Sequence, residues 1–135
     1  MKGASCGMRI AAVVAEDGNT IVGLTEGPTV LIYDTETKNT HEFPNPAMTD
    51  QSERRRRVVD LIARQGADLA CAVPGSFCPH SQEAAIQHGI RFIVVDEGSR
   101  FSSVIAEPER YAAGAVSKLP PSLLFTHTSR HEHHH

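Results

Sequence analysis

The sequence contains no tryptophan, and aromatic residues make up 5% of its 135 residues. Proteins that bind single-stranded nucleic acids stack bases on aromatic side chains, so this composition argues against such a surface. Basic residues are not in excess either, because the formal net charge is -3 at pH 7. A general attraction to nucleic acid or to anionic lipid is therefore not expected.

Long apolar runs and cysteines are also scarce. No apolar run approaches the ~20 residues of a membrane-spanning helix, and the N-terminal MKGASCGMRI lacks the apolar core of a signal peptide. Three cysteines argue against a disulfide scaffold and for a reducing, cytoplasmic location. The 40% hydrophobic and 21% charged fractions are typical of a soluble globular chain, and the length predicts one domain with one core.

The first third of the sequence is rich in strand-forming residues. Residues 8–15 (MRIAAVVA) form a continuous apolar run, which predicts a strand buried on both faces. Residues 29–34 (TVLIYD) predict a second strand, and residues 39–43 (NTHEF) predict a polar strand at a sheet edge. Residues 20–23 are expected to form a short strand or the first half of a hairpin. Together, residues 8–43 predict an antiparallel β-meander.

The remaining sequence alternates helical and strand patterns. In order, these are a helix over 51–65, a strand over 68–73, a helix over 79–88, a strand over 90–96 and helical residues 102–117 broken at Pro108. Asp50 is expected to begin the first helix, and Gly66 and Gly89 to end the first two. The alternation predicts an α/β fold with a mixed sheet of about five strands and right-handed crossovers. Residues 1–7 and the Pro/His-rich residues 118–135 are predicted to be tails that flank one domain over 8–117.

The loop before the second predicted helix carries the main candidate site. A proline suits the first helical position, so Cys78 falls at the N-cap, where the helix dipole favours an anion such as a thiolate. His80 follows two residues later, and Gly75 and Ser76 belong to the same loop. Ligands of open α/β sheets bind at this edge of the sheet. We therefore expect loop 74–80 to bind a cofactor, with Cys78 and His80 as metal ligands.

Four segments follow one another in the order and spacing of a known family: MRIAAVVAEDG, VLIYDTET, VVDLIARQGADLACAV and EAAIQHGIRFIVVD. In this respect the chain resembles the dinitrogenase iron–molybdenum cofactor biosynthesis family over residues 8–116. The resemblance implies a ribonuclease H-like, three-layer α/β fold. It also implies a small non-enzymatic protein that binds or carries an iron–sulfur or iron–molybdenum cluster.

Two loops differ from that family's pattern. Many members carry a Ser-Gly-His-Phe-Gly-Arg-like loop between the first strands, and its histidine is a candidate cluster ligand. Residues 22–28 of this chain (VGLTEGP) contain no histidine. Many members follow the fourth strand with a glycine-rich loop, whereas residues 74–80 (PGSFCPH) supply a thiol and an imidazole. We therefore assign no family ligand to the first loop.

The spacing of Cys71, Cys78 and His80 matches neither a common zinc motif nor a ferredoxin cysteine run. Cys71 lies inside an apolar strand, and we expect it to be a buried, inert thiol. Two ligands per chain do not complete a cluster. A homodimer, or Cys6 from the N-terminal tail, is needed to supply the others; the chain is predicted to be a monomer or a homodimer.

Residues 54–57 are four consecutive arginines at the start of a predicted helix, which is the unfavourable end for positive charge. Arg54 and Arg55 are candidates for contacts with an anionic cofactor, and a solvated helix face is the alternative. His41 and His88 are expected to be structural. The histidines of residues 127–135 are of a type that binds nickel or zinc, and we assign them no function.

Acidic residues near strand ends are typical of turns, and here they are Glu16, Asp17, Asp34 and Asp96. The first strand holds no carboxylate of the kind that nucleases of this fold use to bind two metal ions, so a nuclease is not expected. No catalytic residue is predicted.

Three functional hypotheses remain open. The first is a cluster-handling protein of metallocluster assembly, with a cluster donor or acceptor protein as partner and no nucleic acid or membrane. The second is a regulatory or interaction module of the same fold that has lost cluster binding, which the missing first-loop histidine favours. The third is a cysteine-dependent enzyme that uses Cys78 and His80, although side chains two residues apart on a helix point in different directions.

Overall fold

A computed structural model describes residues 7–49 and 53–125 of the chain. Its centre is a five-stranded sheet in the order β3-β2-β1-β4-β5. The strands are β1 (Arg9–Val14), β2 (Thr29–Asp34), β3 (Asn39–Pro44), β4 (Leu69–Ala72) and β5 (Arg91–Val94). β1 pairs antiparallel with β2 and parallel with β4, while β2–β3 is antiparallel and β4–β5 is parallel. The predicted meander and mixed α/β sheet are therefore confirmed.

Helices cover both faces of this sheet, which gives three layers. They are α1 (Arg54–Arg64), α2 (Pro79–Gln87), α3 (Phe101–Ala106) and α4 (Pro108–Ala113), with short 3₁₀ turns at Pro46–Met48 and Pro121–Leu123. One core packs α1 and α2 against the sheet, and a second packs α3 and α4 against the opposite face. Alternate residues of β1 contribute to the two cores, so the prediction that this strand is buried on both faces is confirmed.

Gly66 and Gly89 end α1 and α2, as predicted. In each case the next residue turns back onto the helix: the amide of Ala67 donates to the carbonyl of Ile62, and the amide of Ile90 donates to that of Ala85, both at 3.0 Å. These are the bonds of a Schellman motif, which satisfies carbonyl groups that the helix end leaves unpaired. The chain can then enter β4 and β5 directly.

The start of α1 lies later than predicted. The helix begins at Arg54, after Glu53 at the N-cap, and Glu53 has a left-handed backbone (φ 50°) and no capping side-chain hydrogen bond. Asp50, the predicted N-cap, lies outside the described residues. The break at Pro108 is present, because α3 ends at Ala106 and α4 starts at Pro108.

Residues 20–23 do not form the predicted short strand. They lie in the connection between β1 and β2, where isolated bridges join Val14 to Ile21 and Thr20 to Arg100. Ile21 is 1% exposed, and the amides of Ala15 and Val22 donate to the carbonyls of Thr20 and Val13, both at 2.9 Å. The stretch is therefore the second half of a tight hairpin with the end of β1, and not the first half of a hairpin as the alternative had it.

The segment from Val116 to Phe125 returns to the domain, whereas residues 118–135 were predicted to be a tail. Val116 bridges Phe92 of β5, and Leu119 is 2% exposed. The amide of Leu119 donates to Oε1 of Gln82 at 2.6 Å. Residues 1–6 and 126–135 of the predicted tails lie outside the described residues, and Gly7 is exposed. In the described parts of the chain, no helix has the length and hydropathy needed to cross a membrane.

A test of this packing is Gly27→Ala. A Cβ at Gly27 overlaps the carbonyl oxygen of Val14 at the end of β1 and lies 2.8 Å from a methyl carbon of Val22. Because backbone is in the way, we expect a loss of about 1–3 kcal/mol or more in the free energy of unfolding, measured with urea. The control is Gly114→Ala, where the nearest atom is 3.9 Å away. Equal stability of the two variants would contradict the close approach.

Candidate functional site

The carboxyl ends of the parallel strands β1, β4 and β5 lie at one edge of the sheet, and three chain segments meet there. They are the β1–β2 connection, loop 74–80 and the first turn of α1. Arg54 of α1 donates from Nη2 to the carbonyl of Thr25 at 3.3 Å, and Arg55 donates from Nε to the carbonyl of Ser76 at 3.2 Å. The predicted site segments are therefore neighbours in space.

Phe77 anchors loop 74–80. Its ring is fully buried and packs edge-on against Phe92 of β5, with 5.0 Å between ring centroids. Before it, Pro74 and Gly75 form a tight turn in which the amide of Ser76 donates to the carbonyl of Val73 at 3.0 Å. Gly75 has φ +80°, a conformation that glycine adopts at little cost. The backbone on either side of Cys78 is thus held in place.

Cys78 is the N-cap of α2, as predicted, and it is half-buried. Its Sγ accepts a hydrogen bond from the amide of Ser81 at 3.4 Å, while its own amide donates to Oγ of Ser81 at 2.9 Å. This reciprocal pair is a capping box with sulfur in place of the usual side-chain oxygen. The thiol therefore lies at the positive end of the helix dipole.

His80 is the second residue of α2 and is exposed. Cys78 is hydrogen-bonded to Ser81, and no hydrogen bond joins it to His80 within the described residues. The described residues also contain no group of three or more His, Cys, Asp or Glu side chains that could hold a metal ion. The structure thus brings Cys78 and His80 to the same helix turn without assembling a complete metal site.

Ser76 is the one buried polar residue of the loop without a side-chain partner. It is 1% exposed, and its Oγ has no hydrogen bond to any described residue. A buried hydroxyl without a partner is costly. This atom is therefore a candidate contact for a ligand.

The arginine run at the start of α1 has a structural reason. Arg54 also donates from Nε to the carbonyl of Ala47 at 3.2 Å, so two of its nitrogens hold loops. Arg56 is 3.4 Å from Asp60 one turn later. Arg55 is half-buried, and its guanidinium carbon lies 4.2 Å from the ring centre of Phe125. Arg55 is therefore a member of the run that contacts the loop.

Charges around Arg55 show which groups are near it. Burial lowers the pKa of its guanidinium from the usual value, the nearby Cys78 and Glu26 act to raise it, and Arg54 acts to lower it. Arginine remains protonated under ordinary conditions. A fixed positive charge thus lies within electrostatic reach of the Cys78 thiol.

Cys71 lies apart from this site. It is 3% exposed within β4, and burial raises the pKa of its thiol to about 12. The expectation that it is a structural, inert thiol agrees with this placement.

The acidic residues Asp17 and Asp34 organise turns. Asp17 Oδ1 accepts from the amides of Asn19 and Thr20, both at 2.8 Å, and Asp34 Oδ1 accepts from the amide of Glu36 at 2.9 Å. These bonds explain their position without metal binding.

Sequence reasoning missed the contribution of the C-terminal segment. The amide of Gly75 donates to the carbonyl of Leu123 at 2.9 Å, and the amide of Phe125 donates to that of Phe77 at 2.8 Å. The signal that could have revealed this was the group of apolar residues at 119–125, LPPSLLF, which a solvated tail does not need.

Comparison with known proteins identifies the family of the chain and solved structures with a similar fold. A family model described as dinitrogenase iron–molybdenum cofactor matches residues 8–110. No curated protein sequence matches the chain. The apo form of the orange protein from Desulfovibrio gigas is similar with a TM-score of 0.64 and 21% identity, over 86% of this chain and 96% of that chain. An NMR structure of a NifB-like protein of the DUF35 family from Thermotoga is similar with a TM-score of 0.60 and 18% identity, over 88% and 97%.

The environment of Cys71 predicts its reactivity. At pH 8 a thiol of pKa about 12 is almost entirely protonated, so we expect alkylation by iodoacetamide to be more than about 1,000-fold slower than for an ordinary thiol. Mass spectrometry of the folded chain should find Cys71 unmodified and Cys78 modified, and urea should make both reactive. Equal labelling of the two cysteines in the folded chain would contradict this assignment.

Asp17 predicts an acid-dependent contribution to stability. Hydrogen bonds from the Thr20 side chain and from the Thr20 and Asn19 amides lower its pKa from 3.8 to about 2. Stability from a lowered carboxylate pKa is present above the unfolded value and disappears as the pH falls through the folded value. The difference in unfolding free energy between wild type and Asp17→Asn should therefore shrink between pH 5 and about pH 2. A difference that is constant across this range would contradict the assignment.

Proposed function

The chain belongs to the dinitrogenase iron–molybdenum cofactor family, whose members suggest a small cofactor-binding or carrier protein, and we propose that its cofactor is a metal cluster. The cluster is of the iron–sulfur or iron–molybdenum type and binds at loop 74–80. The observation that carries the proposal is the half-buried Cys78 thiol at the N-terminus of α2. A thiolate is the usual protein ligand of iron–sulfur clusters. The helix dipole favours the negative charge of such a ligand.

The other residues of the loop suit an anionic cluster. Ser76 offers a buried hydroxyl without a partner, and Arg55 supplies positive charge next to the carbonyl of Ser76. Gly75 leaves space, because no atom beyond Gly75 and its two chain neighbours lies within 4 Å of the position that a Cβ would occupy. In this proposal Cys78 is the thiolate ligand, Arg55 offsets charge, and exposed His80 contributes a further ligand.

One chain supplies too few ligands to enclose a cluster, since no group of three or more suitable side chains occurs in the described residues. We propose that a second copy of the chain supplies the others. Cys6 of the same chain adjoins Gly7, which lies before the amino end of β1 beside Glu36, at the edge of the sheet opposite loop 74–80. The resulting protein holds its cluster at an accessible edge, which suits transfer to and from a donor or acceptor protein in a reducing cytoplasm.

A carrier is favoured over an enzyme. Cys78 is hydrogen-bonded to Ser81, whereas a cysteine that is activated by a general base has that base within hydrogen-bond reach. The Cys78–His80 pair therefore lacks the arrangement of a nucleophile and its base.

The second candidate function is a regulatory or interaction module without a cluster. It is supported by the first loop, which has no histidine in residues 22–28 and closes on itself. There the amide of Gly23 donates to Oε1 of Glu26 at 3.0 Å.

Anaerobic reconstitution separates these functions. The full chain, with the histidines of residues 127–135 replaced by asparagine to remove adventitious binding, is incubated with iron and sulfide or with tetrathiomolybdate. We expect a visible chromophore and bound metal with acid-labile sulfide, both of which are lost in Cys78→Ser. Cys71→Ala is the matched control, because it removes a thiol that lies away from the loop, and it should retain the chromophore.

Two results would reject the cluster hypothesis. One is a colourless, metal-free wild-type chain after reconstitution, which would leave the interaction module. The other is a chromophore that survives in Cys78→Ser, which would place the cluster elsewhere.

A further inference from the structure

The C-terminal segment lies directly against loop 74–80. Two backbone hydrogen bonds join them, from Gly75 to the carbonyl of Leu123 at 2.9 Å and from Phe125 to the carbonyl of Phe77 at 2.8 Å. The carbonyl carbon of Phe77 is bonded to the amide nitrogen of Cys78. The backbone of Phe125 is therefore hydrogen-bonded to the peptide group that immediately precedes Cys78.

Phe125 also fixes the orientation of Arg55. The guanidinium carbon lies 4.2 Å from the centre of its ring, which is the geometry of a cation–π contact. The Nε atom of the same guanidinium donates to the carbonyl of Ser76 at 3.2 Å. A guanidinium held at two points loses little further freedom when it binds a ligand.

The terminal nitrogens of Arg55 remain available. Within residues 7–49 and 53–125, the side chain of Arg55 makes one hydrogen bond, from Nε to the carbonyl of Ser76. The neighbouring Arg54 differs, because both Nε and Nη2 of that residue hold loop carbonyls. Among these two arginines, Arg55 thus has the donors free for an anion.

A second unused group lies on the same loop. The Oγ of Ser76 is buried without a hydrogen-bond partner among the described residues, and the carbonyl of Ser76 is the one that Arg55 contacts. The Cys78 thiol and the Ser76 hydroxyl therefore belong to one loop, and the Arg55 guanidinium is hydrogen-bonded to that loop.

We propose that Arg55 is the anion-recognition residue beside Cys78 and that Phe125 is the residue that positions it. The C-terminal segment, residues 119–125, is then part of the ligand site. The ligand class, an anionic metal–sulfur cluster, rests on the proposed function. The preference for an anion belongs to the chain itself and can be measured without a cluster.

The test compares two reagents that alkylate Cys78 by the same displacement of iodide by sulfur. Iodoacetate is an anion and iodoacetamide is neutral. Their rate constants at Cys78 in the folded full chain are measured by mass spectrometry of the Cys78 peptide. The ratio of the two rates reports the charge next to the sulfur, because a change in accessibility or in nucleophilicity affects both reagents alike.

Arg55→Gln should lower the ratio of iodoacetate to iodoacetamide rates about two- to fivefold at low salt, which is the effect of removing one unit charge at roughly 10 to 4 Å in water. The matched control is Arg56→Gln, which removes the same charge from the adjacent position on α1 and should change the ratio by less than about 1.5-fold. High salt should reduce the wild-type preference. An equal effect of the two substitutions would overturn the assignment of Arg55.

Phe125 is tested by two substitutions that keep its bulk. Phe125→Leu removes the aromatic face and should lower the ratio toward that of Arg55→Gln, whereas Phe125→Tyr keeps the face and should retain the wild-type ratio. A ratio unchanged in Phe125→Leu would overturn the positioning role. If Arg55→Gln impairs folding, Arg55→Lys is used in its place. Lysine keeps the charge without the planar guanidinium, so we expect a ratio between those of wild type and Arg55→Gln. A ratio equal to that of wild type would overturn the need for a positioned guanidinium.

The alkylation experiment and the cluster reconstitution test different claims, so either can give a negative result without the other. A chain with the anion preference that takes up no cluster rejects the proposed ligand and keeps the anion site. A chain that takes up a cluster through Cys78 but lacks the preference keeps the proposed function and rejects the role of Arg55.

Discussion

The pairing of β1 on both sides is the constraint on which the rest of the structure depends. β1 is antiparallel to β2 and parallel to β4, and its residues from Ile10 to Val14 are at most 4% exposed. A strand buried on both faces has to satisfy its backbone groups within the sheet. The parallel pairing then places the ends of β1 and β4 at the same edge, so loop 74–80 and the first loop become neighbours.

One atom, the sulfur of Cys78, has both a structural role and a proposed ligand role. Sγ of Cys78 caps α2 by accepting from the Ser81 amide at 3.4 Å, and the same sulfur is the proposed cluster ligand. The two roles are compatible, because an amide that points at sulfur also stabilises a metal-bound thiolate. A serine at this position would cap the helix equally well but would supply no soft ligand. Capping alone therefore does not explain the choice of cysteine.

Much of the fold was predictable because the relevant signals are local. The apolar run of β1, the β-branched residues of β2 and the glycines after α1 and α2 each specify an element within a few residues. The family resemblance, which rests on the order of such elements, is confirmed by the match over residues 8–110. The predictions for residues 20–23 and 118–125 differ from the structure, because both stretches are shaped by distant partners: Arg100 for Thr20, and Gln82 for Leu119.

The sequence by itself determined the sheet, the C-terminal ends of α1 and α2 and the placement of Cys78 at the N-cap of α2, since capping and periodicity act over one or two turns. The tertiary structure decided the surroundings of that cysteine. Arg55 reaches loop 74–80 across 21 residues of sequence through its bond to Ser76, and Phe125 reaches Phe77 from the far end of the described chain. No local pattern encodes such contacts, because they exist only once α1 and the C-terminal segment have packed against the loop that follows β4.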